Sequence, residues 1–275
     1  MNELTRSQYS LPPLGGLGSA SRSQLAKILR ASSGTITPEA AALALKEPQL
    51  KTSKLLARWA AQGWLQRVRR GLYVPIPLES ERTDSAPEDP WLIAQAAFSP
   101  CFISGWSAAE HWSLTDQMFR SVCVATTCKP RPRKQIIGGT TFVLRTVNKA
   151  HLFGLKTVWR GRAREQISDP SRTIVDLLAD PTLGGGLRSS VDMFEDYLKA
   201  KEHRDLKKLI DYAQQLGNGA VFKRMGFLLQ RLAPDETDSI SACAKNLSTG
   251  YAKLDASLPA KRLVTAWNLW VPTGW

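Results

Sequence analysis

Eight side chains between positions 52 and 73 have the chemistry to hold a polyanion. Thr52, Ser53, Lys54 and Arg58 come first, and Arg67, Arg69, Arg70 and Tyr73 follow. Lysine and arginine neutralise phosphate oxygens, which fixes register and orientation on a nucleic acid. Short polar side chains reach the donor and acceptor edges of bases. Three arginines within four positions exceed what one solvated turn needs. The competing reading is a surface helix and hairpin whose cations are merely hydrated.

Those residues need two elements to position them. From Lys51 the spacing is helical, with Leu55, Leu56 and Trp59 on one side and Thr52, Ser53, Lys54 and Arg58 largely on the other. Gly63 stops this helix as a C-terminal cap would. From Trp64 to Tyr73 apolar and basic residues interleave, and Gly71 breaks the run, which predicts a tight basic hairpin. Upstream, Ser21 or Ser23 caps a helix carrying Leu25, Ile28 and Leu29. Thr37 caps a second helix that opens at Pro38 and stops before Pro48. Three short helices and a hairpin make a winged helix-turn-helix, with a recognition helix for the major groove and a wing for the flanking backbone.

Charge is distributed to match. Up to residue 78, 11 Lys and Arg stand against 3 Asp and Glu, a net of +8 out of +13 for the whole 275-residue chain. A pI near 9.8 points to a polyanionic partner. The first twenty residues, with Pro12, Pro13, Gly15, Gly16 and Gly18, read as a tail. Residues 21–77 are then the DNA-binding domain, 78–90 a proline-rich acidic linker, and 91–275 a larger domain. No apolar run is long enough to cross a membrane and the first ten residues lack a secretory h-region, so a cytoplasmic protein is expected. Cys101, Cys123, Cys128 and Cys243 lack a second close pair for zinc and read as unpaired thiols.

The larger domain reads as mixed α/β with a helical end. Helical stretches around 91–98 and 104–112 precede strand-like runs at 121–127, 140–147 and 155–159. Helices are expected near 172–180, 191–200, 205–216 and 220–232. The last forty residues are ambiguous; V-T-A-W-N-L-W-V-P has strand character, and Trp267, Trp270 and Trp275 suit either a sheet or a partner. Two basic stretches, K-P-R-P-R-K and R-G-R-A-R, supply Arg131, Arg133, Lys134, Arg160, Arg162 and Arg164. They are either solvated loops or a second nucleic-acid surface for more DNA or an RNA. No catalytic, metal or cofactor site emerges. Glu110 and His111 sit among tryptophans, where packing or capping is the simpler account. Arg172 and Asp176 have the spacing of a helix ion pair, and Asp169 reads as a cap. Asp176 with Asp180 lacks further ligands for a metal, and Gly184, Gly185 and Gly186 follow a helix without the Lys of a phosphate loop.

Taken together, the motifs resemble the AbiEi-type antitoxins of type IV toxin–antitoxin systems. In the first domain the likeness rests on A-A-A-L-A-L, A-A-Q-G-W-L and R-V-R-R-G-L-Y-V-P. In the second it rests on S-G-W-S-A-A-E-H-W-S-L (104–114) and S-D-P-S-R-T-I-V-D-L-L (168–178). The resemblance implies a transcriptional repressor of its own operon that binds inverted repeats in double-stranded promoter DNA. It also implies an antitoxin against a nucleotidyltransferase-like toxin, without a stable complex. It places Thr52, Ser53, Lys54, Arg58, Arg67, Arg69, Arg70 and Tyr73 on the DNA. A monomer in solution that pairs on an inverted repeat is consistent with it. Two other classes stay open: a nucleic-acid-modifying enzyme guided by the winged helix, and a protein-interaction module without specific DNA binding.

Overall fold

The computed structural model describes residues 16, 18–32, 34–76, 89–160 and 163–275. Most of the expected tail, nearly all of the expected linker, and Arg162 lie outside them. The chain is mixed α/β, as its patterning predicts. It separates into two compact units: residues 1–97 with 136–140 and 159–164, and residues 98–135, 141–158 and 165–275. The division falls after Ala97 rather than after residue 90.

The first unit opens with α1 (Ser19–Ala31), α2 (Pro38–Leu45) and α3 (Gln49–Ala61), followed by β1 (Leu65–Arg69) and β2 (Leu72–Pro75). Thr37 caps α2 by accepting the Ala40 N–H at 3.2 Å, with Pro38 at the first helical position where no N–H is needed. Lys46 closes α2 in the left-handed region. Pro48 stands at the N-cap of α3, whose first residue, Gln49, lies two positions before the start that the spacing suggests. Gly63 ends it at φ +77°, and the Trp64 N–H returns to the Trp59 carbonyl at 3.0 Å, the six-to-one bond of a Schellman end. Leu25, Ile28, Ile36, Ala41, Leu56, Trp59, Leu65 and Tyr73 fill the core between helices and hairpin. A reciprocal backbone pair, Ile36 N–H to Tyr73 O at 2.8 Å and Tyr73 N–H to Ile36 O at 2.9 Å, ties β2 to the segment ahead of α2. That tie fixes the angle at which the hairpin leaves the helices.

Beyond α4 (Pro90–Phe98), the chain continues through β3 (Cys101–Ile103), α5 (Gly105–His111), β4 (Ser121–Thr126), β5 (Lys134–Ile137), β6 (Thr140–Thr146), β7 (Leu155–Arg160) and β8 (Ala163–Ser168). Their six strands form one sheet in the order β5-β6-β4-β3-β8-β7. The helices α6 (Pro170–Ala179), α7 (Leu187–Lys199), α8 (Leu206–Leu216), α9 (Gly219–Leu232) and α10 (Thr237–Lys245) follow. Three short strands, β9 (Ala252–Lys253), β10 (Arg262–Val264) and β11 (Leu269–Val271), close the chain as a small sheet of their own. Nine of the ten residues of α6 are buried, so this helix is the centre of the second core rather than a surface element. Asp169 caps it, accepting the Arg172 N–H at 2.8 Å. Among the described residues no helix is long and apolar enough to cross a membrane.

Candidate nucleic-acid interface

Helix α3 buries Thr52, Leu56 and Trp59, at spacing i, i+4, i+7. Thr52 is 1% exposed, and its hydroxyl lies 3.0 Å from the Gln49 carbonyl and 3.2 Å from that of Pro38. The second of these bonds pins the start of α3 to the start of α2. Thr52 is therefore withdrawn from the expected contact set: its hydroxyl is satisfied inside the fold and cannot meet a base. Ser53 stays at the surface, its hydroxyl resting on the Gln49 carbonyl at 2.7 Å and able to turn away at low cost. Lys54 and Arg58 are exposed. Arg58 stands in the last helical turn, where a cation also suits the helix dipole.

In the hairpin, Arg67 faces Tyr73 across the strands, and the register slips between Arg67 and Arg69 before Arg69 meets Leu72. A slip of this kind adds twist and re-aims the side chains beside it. Gly71 completes the turn at φ +76°, with open space where a Cβ would stand. Arg67, Arg69 and Arg70 are all exposed. Tyr73 is not: it is 4% exposed and belongs to the core. Its inclusion among DNA contacts is corrected for the same reason as Thr52, since its position is taken up by packing and by the Ile36 tie.

Lys54, Arg58, Arg67, Arg69 and Arg70 thus stand in solvent on one helix and one hairpin, and among the described residues none has an ion-pair partner. Lys51, also exposed, is partly neutralised by Glu47 at 2.8 Å. An apolar cleft of about 380 Å³ also lies in this unit, lined by Arg22, Leu25, Leu29, Trp64 and Ile76 among others. None of the five solvent-facing cations borders it.

Residues 23–76 match a family model described as a transcriptional regulator, AbiEi antitoxin. That stretch of the chain is similar to the AbiEi regulators. Among curated proteins, none matches it. The matched range takes in most of α1, all of α2 and α3 and the hairpin, and with them every one of the five exposed cations. It stops before the motifs at 104–114 and 168–178, which carried the rest of the resemblance.

Within the matched range the structure adds two exposed residues that the sequence reading left out, Gln49 and Leu50. Both lie in the first turn of α3, ahead of the expected start at Lys51. The Gln49 amide donates to Glu39 at 2.5 Å. Pro48 was the available signal, because a proline beside an emerging helical period marks its first turn.

The second basic set is divided by the fold. Arg131, Arg133 and Lys134 are exposed, and Lys134 begins β5, whereas Arg160 ends β7; these are the two edge strands of the sheet. Four strands lie between those edges, so one continuous patch is not formed by the strands themselves. Arg160 is engaged already, paired with Asp89 and stacked 4.3 Å from the Trp91 ring. Arg164 is exposed and sits over Trp159 at 5.5 Å.

None of the four cysteines forms a disulfide. Burial pushes the Cys101, Cys123 and Cys243 thiols up to about 12, and Cys128 alone is exposed. Among the described residues no three His, Cys, Asp or Glu side chains come together. Asp176 is engaged by Arg145, Arg172 and Ser104, while Asp180 accepts from Thr182. Glu110 and His111 lie exposed at the end of α5, His111 edge-on to Trp112.

Proposed function

We propose that this chain is an antitoxin of a type IV toxin–antitoxin system that represses its own operon, acting by binding rather than by catalysis. The observation that carries this reading is the set of five solvent-facing cations on α3 and the hairpin, all inside the range that matches the AbiEi regulators. The domain works as a winged helix: α3 enters the major groove, and Arg67, Arg69 and Arg70 hold phosphates beside it. One such domain spans few base pairs, so two chains on an inverted repeat supply the specificity. The second unit serves antitoxicity against a nucleotidyltransferase-like toxin in the cytoplasm, without a stable complex.

The test is binding to a fluorescent duplex of the gene's own upstream DNA across a salt series, against a scrambled duplex. Five cations each holding a phosphate give log K a slope of about −4.5 per chain against log salt. Preference for the native duplex with a slope of that order is expected. Equal binding to both duplexes, or a flat salt response, would sink the repressor reading. Growth rescue on co-expression with a neighbouring nucleotidyltransferase-like gene, in the absence of co-purification, checks the antitoxin half.

A further inference from the structure

Opposite the buried stripe of α3 lies a line that a solvated helix would fill with charge. At 100° per residue, Leu50, Lys54 and Ala61 fall within about 30° of the direction facing away from Thr52, Leu56 and Trp59, and Ala57 within about 50°. All four are exposed, and Leu50 is 71% exposed. Three of the four are apolar. Cations and a hydroxyl flank them: Lys51 and Arg58 on one side, Ser53 on the other. The midline of the helix therefore carries three apolar residues and one cation, Lys54, while its margins are polar.

A duplex offers one complement to that pattern. Along the major-groove edge of the bases stand donors, acceptors and the C5-methyl of thymine, and only the methyl is apolar. An apolar side chain pressed against donors or acceptors would leave them unsatisfied. Against a methyl it removes apolar surface from water on both sides. The first turn of a recognition helix is also where base edges are contacted, and Leu50 occupies that turn. Ala57 and Ala61 are short enough for the helix backbone to come close to the groove floor.

We propose that the outward midline of α3 is a thymine reader, in which Leu50 packs on the C5-methyl of a thymine in each half-site while Lys54 and Arg58 hold the flanking phosphates. This rests on the DNA-binding reading above and adds to it a specificity-determining residue and the base feature it selects. An isolated exposed leucine is ordinary on a protein surface; its alignment with Ala57 and Ala61 on a helix face that also carries Lys54 and Arg58 is what distinguishes this one. Leu43, 81% exposed on α2, raises the rival that the exposed leucines of α2 and α3 meet another protein.

The experiment uses the full chain and a synthetic duplex of the footprint protected on the gene's own upstream DNA. Each thymine is replaced in turn by deoxyuridine, which removes only the methyl. Wild type and Leu50→Ala are titrated on every duplex, with a thermal melt to confirm that the variant is folded. At one thymine per half-site, the replacement weakens wild type about fourfold, the loss expected for one buried methyl-sized group. Leu50→Ala binds that thymine duplex and its uracil counterpart equally. Indifference of wild type to every replacement overturns the proposal, as does a Leu50→Ala variant that keeps the full thymine-to-uracil ratio. A variant that keeps the ratio but loses self-association in sedimentation makes the face a protein contact, and also overturns it. If no footprint forms and native and scrambled duplexes bind alike, the repressor reading has failed and the proposal falls with it.

Discussion

In the first unit Lys54, Arg58, Arg67, Arg69 and Arg70 stand in water, whereas in the second Arg172 and Arg224 are sealed inside the core. Both groups are cations in a strongly basic chain, and composition treats them alike. Their surroundings do not. Arg172 donates through one nitrogen to the carbonyls of His151 and Phe153 at 3.0 and 2.9 Å, lies 3.2 Å from Asp176, and stacks on Phe153 at 4.1 Å. Arg224 is held by backbone carbonyls alone: Leu178 and Ala179 at the end of α6, and Lys253 in β9. Burial lowers its pKa, and the nearby charges of Asp180 and Asp255 push it back up. A buried cation needs its fixed partners for the fold to hold. An exposed one keeps its hydration until an anion displaces it. Net charge therefore locates a function only after the structural cations are set aside.

The contrast is sharpest at Asp176. Its two oxygens accept from Ser104 at 3.0 Å and from Arg145 at 3.2 Å, and face Arg172 at 3.2 Å, with the carboxylate 1% exposed. Asp176→Ala leaves the fully buried Arg172 without its counter-charge. The expected cost is about 3–5 kcal/mol, a large share of the stability of an ordinary domain. Chemical denaturation followed by circular dichroism reads it directly. A loss below about 1 kcal/mol would mean that the carbonyls and aromatic rings suffice for Arg172, and that a buried arginine here does not depend on its counter-charge.

Glycine divides along the same line. Gly71, in the hairpin turn, has open space around it and is needed for its backbone conformation. Gly226, inside α9, is needed for room: a Cβ there would stand 2.0 Å from the Trp267 ring. That ring donates its N–H to Gln230 at 2.8 Å and is 4% exposed, so it cannot slide aside and stay satisfied. Gly226→Ala is expected to cost about 1–3 kcal/mol by overpacking and to lift the last strands from α9. Limited proteolysis should then clip the C-terminal segment. A variant that resists cleavage with unchanged tryptophan emission would show that the ring is accommodated elsewhere.

How much of this was legible beforehand follows from the range of the interactions involved. Every element of the first unit announces itself within a few residues: Thr37 and Pro38 open α2, Gly63 closes α3, and Gly71 turns the hairpin. The two misplaced contact residues fail for different reasons. Thr52 lies on the Leu56–Trp59 stripe by simple spacing, and only its hydroxyl suggested the outside; the carbonyl that satisfies it belongs to Pro38, fourteen positions away. Tyr73 is buried through a pairing with Ile36 that no local pattern encodes. In the second unit, β8 alternates between buried and exposed, but one of its buried residues is Glu165, which hides the apolar period. The three residues of β3 are too few to show any period. The last forty residues hold α10 and three strands of two or three residues each, below the length at which patterning speaks. Of the tryptophans there, Trp267 is core and Trp270 is 37% exposed.

The smallest effect on stability belongs to the wing, and it is the most informative about function. Arg69 and Arg70 touch no described ion-pair partner, so Arg69→Ala with Arg70→Ala should change unfolding free energy by no more than about 0.5 kcal/mol. On DNA the same pair should reduce the salt slope by about 2, one counterion for each phosphate released, and weaken binding to native and scrambled duplexes alike. Leu50→Ala behaves in the opposite way, leaving the slope intact and changing which bases are preferred. The two variants therefore separate positioning from reading within one 13-residue helix and its hairpin. A wing variant with an unchanged slope would return these arginines to the status of hydrated surface charge, and α3 alone would have to account for affinity.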